Sequence, residues 1–395
     1  MSEQAIQDLL ELLPIPGPPA GESAVAAHIK TKLLALGIRP EQIAFDNAQA
    51  QSEYGGDCGN MIIQIPGNRP GPALMFSTHM DTVPDAVGCQ PRLDAANERI
   101  VNDAPGKALG GDNRLGCAVL LHLVRQLLVR RGDHPPIVVV FFVQEEVGLV
   151  GARGLDVSLL GPELPAMCFN LDGGFIDQFV TAVIGSERFT IDITGIPAHA
   201  GARPAYGTSA GIIAAEALAW LHQNGWHGRV EKPQGVGTAN VGIIQGGQGS
   251  NVVMPALHIL AEARSHDPAF RQLIIETWQE AFRAAAERVR NQFDQGGSVR
   301  FGPGPTYEAF ALTPEAPVVK HLLAAADQIG LAATLVNNDG GMDANQIVAH
   351  GIPAITIGPG QRQVHTAEEW IHVPSFLQAC DLMVAAATLN AGQDV

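Results

Sequence analysis

Apolar residues along the chain recur with two alternating periods. Between Ser23 and Leu36, after the Pro/Gly-rich turn Pro14–Gly21, they fall on one side of a predicted amphipathic helix. Asn60–Ile65 and Ala73–Ser77 are short apolar runs that predict strands. Arg114–Arg131 has a helical pattern. It leads through Pro135–Pro136 into Ile137–Val143, a β-branched, uncharged run of the kind buried on both faces of a sheet. Ala166–Leu171 repeats that run. Such alternation predicts an α/β fold, a mostly parallel sheet with helices on both faces.

The texture changes near Gly185. Glu187–Thr194 alternates apolar and polar residues, as a half-exposed strand does. A loop, a helix at Ser209–Leu221, strands at Ala239–Gln245 and Leu257–Ala263, a helix at Ala269–Phe293 and a strand at Val299–Phe301 follow. That order, βαββαβ, describes a small α+β split-βαβ unit. After Pro305 the first texture returns, with a helix at Ala316–Ile329, strands at Thr334–Val336 and Ala354–Ile357, and a final helix at Ser375–Leu389. The expected organisation is a discontinuous catalytic domain, residues 1–184 and 303–395, with a second domain inserted at 185–302.

Composition narrows the function. The 395 residues are 46% hydrophobic and 16% charged, which excludes wholesale disorder. Asp and Glu total 40 against 24 Lys and Arg, giving a formal charge of −16. Such a surface repels phosphate backbones, so no nucleic-acid partner is expected. The apolar runs fall far short of the ~20 residues that span a bilayer, so no membrane partner is expected either. Five scattered cysteines fit reduced thiols, and Met1–Ala5 lacks the basic start of a secretion signal. A cytoplasmic location is the expectation.

The candidate chemistry stands at the ends of the inferred strands. His79 and Asp81 follow strand 73–77 and share a face, since residues i and i+2 of an extended chain point the same way. A carboxylate beside an imidazole is a common way to orient a metal-ligating histidine. Asp112 opens a helix, where a carboxylate is stabilised. Glu145 and Glu146 follow strand 137–143, Asp172 follows strand 166–171, and His365 lies late in the chain. Ligands of open α/β sheets bind outside the carboxyl ends of the strands, which places these groups around one crevice. So many carboxylates in one place repel one another unless cations join them. Two histidines with several carboxylates suit zinc, with manganese or cobalt as substitutes. Each fragment alone has an ordinary reading: a surface pair, a helix cap, a solvated loop, a turn. Their shared placement at strand ends gives them weight.

The blocks Ser77-Thr78-His79-Met80-Asp81, Gly110-Gly111-Asp112-Asn113, Gln144-Glu145-Glu146-Val147-Gly148, Asn170-Leu171-Asp172, Ala198-His199-Ala200-Gly201 and His365-Thr366-Ala367-Glu368-Glu369 span nearly the whole chain. On them the sequence resembles the co-catalytic dizinc exopeptidases and amidohydrolases, the family of peptidase T, glutamate carboxypeptidase, succinyl-diaminopimelate desuccinylase and aminoacylase. Asp rather than Glu at 172 and the run Ala261-Glu262-Ala263-Arg264-Ser265 point to the peptidase T branch.

The resemblance implies a zinc-exopeptidase fold whose inserted domain serves as lid and dimerisation domain, and hence a homodimer. It implies two Zn²⁺ per chain, with Mn²⁺ or Co²⁺ possible. His79 and Asp172 would hold one ion, Glu146 and His365 the other, and Asp112 would bridge them. Asp81 would orient His79. Glu145 would be the general base for a metal-bridging hydroxide. His199, Asn251 and Arg264 match substrate-contacting positions, His199 as an oxyanion donor and Arg264 as a partner for a peptide carboxylate. The first expectation is a di- or tripeptide aminopeptidase. The runner-up is an N-acyl-amino-acid amidohydrolase or carboxypeptidase with the same centre. Gly207-Thr208-Ser209-Ala210-Gly211 fits the serine-nucleophile pattern, with Asp343 and His365 in triad order, but that pattern requires a strand before the serine. A metal-loaded interaction protein without activity is a further alternative, disfavoured by a free base at Glu145.

Overall fold

The computed structural model describes residues 2–130 and 133–389. Met1, and Arg131 at the end of the helix expected over Arg114–Arg131, lie outside the described residues. Packing divides the chain into two compact units. One comprises Met1–Ala182, Ala311–Asn338 and Met342–Val395; the other comprises Val183–Phe310 and Asp339–Gly341.

The first unit is built on a large sheet. Its central strands Ile137–Phe142, Leu74–His79, Met167–Leu171 and Ala354–Ile357 lie side by side in that order and run parallel. Antiparallel strands flank them: Met61–Ile65 and Ile43–Phe45 on one side, Gln178–Val183 on the other. Every residue of Leu74–His79, Ile137–Phe142 and Ala354–Ile357 is buried, which is why these runs carry no polar alternation. Phe76, Val139, Phe141 and Phe169 join one hydrophobic cluster with residues of helices Ser23–Leu36, Gly111–Arg130, Pro317–Gln328 and Val373–Thr388. Met75, Val138 and Val140 are buried on the opposite face.

Helix Gly111–Arg130 approaches the sheet closely at one point. A Cβ on Gly116 would sit 2.1 Å from Thr78 Oγ1, so any side chain there would push the helix off the strand. A small antiparallel sheet joins distant parts of the chain, in the order Gln361–Arg362, Trp370–His372, Arg99–Asn102, Pro91–Asp94.

Helix Ser2–Leu12 was not expected from the sequence. It buries Ala5, Leu9 and Leu12. Its buried Asp8 is satisfied by Lys32 Nζ at 3.1 Å and by the Arg125 guanidinium at 2.6 Å.

The second unit is an antiparallel sheet in the order Gly228–Lys232, Gly235–Gly246, Ala256–Ser265, Gly185–Thr194, Ser298–Tyr307. Helices Ala210–Gln223 and Pro268–Arg288 cover the core around Phe189, Ile191, Trp278 and Phe282. Three details differ from expectation. Strand Gly228–Lys232 is additional, and strand Ser298–Tyr307 runs past residue 303 because its pairing with Gly185–Thr194 continues to Tyr307 opposite Ser186. The long helix stops at Arg288 rather than Phe293, where the Asn291 side chain accepts the N–H groups of Phe293 and Gln295 and turns the backbone. Among the described residues no helix is long and apolar enough to cross a membrane.

Candidate metal centre

His79 ends a central strand and is 1% exposed. Its Nδ1 lies 3.3 Å from Asp81 Oδ1 and 3.2 Å from the Asp81 carbonyl oxygen. Its Nε2 is thereby turned toward Asp112 Oδ1, at 3.2 Å, and Asp172 Oδ1, at 3.9 Å. The other oxygen of Asp112 faces a second imidazole, with Oδ2 3.4 Å from His365 Nε2. The same Nε2 is 2.8 Å from Glu146 Oε1. Two donor sets result, His79/Asp112/Asp172 and Asp112/Glu146/His365, each with its ligand atoms within 4.8 Å of one another. Asp112 belongs to both. Glu145 forms a similar group with His79 and Glu146.

The loops carrying these groups are fixed by buried polar side chains. Strand Ile137–Phe142 leads through Val143 into Gln144, whose backbone is left-handed (φ 54°). The next amides are each held: Gln144 N–H donates to Glu22 Oε1 (3.0 Å), Glu145 N–H to Asp81 Oδ1 (3.0 Å) and Glu146 N–H to Asp81 Oδ2 (3.1 Å). Asp81 thus orients His79 and the Glu145–Glu146 backbone together. Asp112 and Asn113 depart from helical geometry at the start of their helix, and the peptide between them is cis. The Asn113 amide donates to the Leu171 carbonyl at 2.7 Å, tying this loop to the strand that ends before Asp172.

The electrostatics are contradictory without cations. Burial and neighbouring Asp112 push Asp172 up to about 7. Burial likewise raises Glu145, Glu146 and Asp343. Burial would lower His79, but the Asp112 and Asp81 carboxylates outweigh it and raise it well above its usual value. Hydrogen bonds to Asp112 and Glu146 push His365 up to about 10. Asp343 is 1% exposed and neither of its carboxylate oxygens has a hydrogen-bond partner. Acids and imidazoles thus compete for too few positive charges, which divalent cations would supply. Imidazole and carboxylate donors suit zinc, manganese or cobalt, so the residues fit such ions.

The remaining expected residues lie in the second unit. His199 Nδ1 accepts the N–H groups of Gly201 (3.2 Å) and Ala202 (3.0 Å), which places its ring proton on Nε2. Asn251 is beside it, its carbonyl accepting the Ala200 N–H at 2.9 Å. The Arg264 guanidinium is engaged by Glu262, at 3.1 and 3.3 Å, so a substrate carboxylate would have to compete with that neighbour. Ser209 caps helix Ala210–Gln223, and a helical turn at Pro204–Tyr206 precedes it where a serine nucleophile needs a strand. Glu22 and Glu369 were not singled out by sequence reasoning; both are buried carboxylates that accept backbone amides distant in the chain, Gln144 for Glu22 and Leu109 for Glu369.

Residues 75–389, more than half of the chain, match the family described as Peptidase family M20/M25/M40. The chain belongs to this family. It is accordingly a metal-dependent hydrolase, and its large sheet with an associated smaller unit is the family's fold. Among curated relatives, the uncharacterised protein YqjE of Bacillus subtilis is 29% identical over 384 residues, 97% of each chain. Among solved structures, the aminopeptidase PepT of Bacillus cereus is 29% identical, with 98% of each chain covered and a TM-score of 0.83. A tripeptidase of Staphylococcus aureus is 26% identical, again over 98% of each chain, with a TM-score of 0.86.

Proposed function

We propose that this member of peptidase family M20/M25/M40 is a dinuclear aminopeptidase of di- and tripeptides. One observation carries the dinuclear part: Asp112 turns one oxygen toward His79 and the other toward His365. The likeness to an aminopeptidase and a tripeptidase supports the choice of substrate.

In this reading His79 and Asp172 would hold one ion and Glu146 and His365 the other, with Asp112 belonging to both donor sets. When bound, two Zn²⁺, or Mn²⁺ or Co²⁺ in their place, supply Lewis acidity and a water of lowered pKa. Glu145, grouped with His79 and Glu146, takes the proton of the attacking water and returns it to the leaving amine. Asp81 keeps the His79 imidazole and the Glu145 backbone in register. His199 donates from Nε2 to the developing oxyanion, and Asn251 and Arg264 contact the peptide.

The second unit, in this proposal, is a lid and dimerisation domain. In strand Gly235–Gly246 only the first residues, Gly235–Ala239, pair with Gly228–Lys232. Beyond them Ile243 and Ile244 are exposed, as are Ile212 and Trp220 of the neighbouring helix. An unpaired edge with exposed apolar residues suits a second copy of the chain. The five unpaired cysteines fit a cytoplasmic location.

The test is hydrolysis of free, N-acetylated and C-amidated tripeptides by metal-reconstituted protein. An aminopeptidase cleaves the free and amidated peptides and spares the acetylated one. Preferred release of the acyl group would instead establish an N-acyl-amino-acid hydrolase, and a preference for a free carboxyl end a carboxypeptidase.

A further inference from the structure

Behind Asp112 lies a carboxylate that the chemistry above does not use. Glu369 is 3% exposed. Its Oε2 accepts the N–H groups of Leu109 (2.9 Å) and Gly110 (2.8 Å), and its Oε1 accepts the Asp112 N–H (3.1 Å). These three donors lie on the irregular segment that leads into helix Gly111–Arg130, where Asp112 and Asn113 are not helical and backbone amides need partners outside the helix. Glu369 is brought there by the small sheet, in which the next residues, Trp370–His372, pair with Arg99–Asn102. Its own N–H donates to Thr366 O at 3.2 Å, closing a turn just after His365. One short segment therefore carries His365 and also the carboxylate that holds the Asp112 backbone.

We propose that Glu369 is a positioning residue for the metal pair: it sets Asp112 so that its two carboxylate oxygens diverge, one to each donor set. The inference rests on the dinuclear reading. Its rival is a plain helix cap, which would affect stability alone. Chemistry distinguishes the two through Glu369→Gln, which keeps the shape. A carboxylate accepts on both oxygens, whereas an amide accepts on one and donates on the other. If the oxygen stays with Leu109 and Gly110, the NH₂ group faces the Asp112 N–H and that contact is lost. Loss of a group that orients a ligand typically costs 10–100-fold in metal affinity.

The experiment uses the full chain, stripped of metal and titrated with Co²⁺ against a chromophoric chelator. Stoichiometry, affinity, the visible Co²⁺ spectrum and thermal unfolding of the metal-free protein are recorded. E369Q is expected to weaken Co²⁺ binding ~10–100-fold and to change the spectrum, and E369D, with the charge retained one methylene short, to recover part of both. E369Q that binds two Co²⁺ with the affinity and spectrum of the unaltered protein would overturn the proposal, whatever its unfolding temperature. If neither variant folds, Glu369 is a stability element and the proposal falls too. Unaltered protein that takes up fewer than two Co²⁺ would refute the dinuclear reading itself.

Discussion

Each unit holds a histidine paired with an aspartate, and the two pairs differ in what surrounds them. In the second unit His258 Nδ1 is 2.7 Å from Asp192 Oδ1, and Arg300 lies 2.8 Å from Asp192 Oδ2. These side chains are 45%, 33% and 80% exposed, and the hydrogen bond from His258 lowers the Asp192 pKa, as an ordinary partnership does. In the first unit the His79–Asp81 contact is longer, 3.3 Å, yet both side chains are essentially inaccessible. There acids outnumber bases, and Asp172 is driven up to about 7. A short histidine–carboxylate contact therefore does not mark a reactive centre. The mark is buried acid in excess of buried base, out of reach of the water that would screen it.

The largest way to break this contrast is to remove the ions. Dialysis against a chelator should abolish peptide hydrolysis, and Zn²⁺, Mn²⁺ or Co²⁺ should restore it; activity that survives thorough chelation would contradict a metal centre. Next is Glu145→Gln. Turnover should fall ~10²–10⁴-fold with fold and metal content retained. Near-normal turnover would remove Glu145 from the role of base. Asp81→Asn should cost less, ~10–100-fold in metal affinity or activity. It leaves one acceptor where His79 and the amides of Glu145 and Glu146 share two oxygens. Metal titration and steady-state rates would show it, and unchanged values for both would contradict the link between Asp81 and the centre. The smallest effect belongs to the exposed pair. His258→Gln should change stability by ~1 kcal/mol or less and leave hydrolysis as it was. A large loss of activity there would erase the distinction between the two clusters.

The same contrast explains what the sequence discloses. Strands Leu74–His79, Ile137–Phe142 and Met167–Leu171 are legible because burial on both faces favours largely apolar runs without acidic or basic residues before their ends. His79, Glu145, Glu146 and Asp172 are legible because they stand where those runs stop. Glu22 and Glu369 are not, because what they do depends on backbone amides far away: Glu369 meets Leu109 across 260 positions and Glu22 meets Gln144 across 122. No spacing rule reports a contact that only the assembled fold creates. Helix Ser2–Leu12 is obscured by Asp8, a charge on its buried side that Lys32 and Arg125, distant in the chain, help to make tolerable. Asp343 is legible only in part: the run Asp339-Gly340-Gly341-Met342-Asp343 reads equally as a wall of the substrate pocket and as a turn, and neither reading reveals that helix Asp343–Ala349 begins on a buried carboxylate without a hydrogen-bond partner.

The central claim is that two cations share Asp112. A crystal structure of Zn²⁺-loaded protein with anomalous difference density at the zinc edge tests it most directly. The account predicts two peaks ~3.5–4 Å apart, one against His79 and Asp172, the other against Glu146 and His365, with one oxygen of Asp112 on each. A single fully occupied peak, or a pair with Asp112 bound to neither, would contradict it.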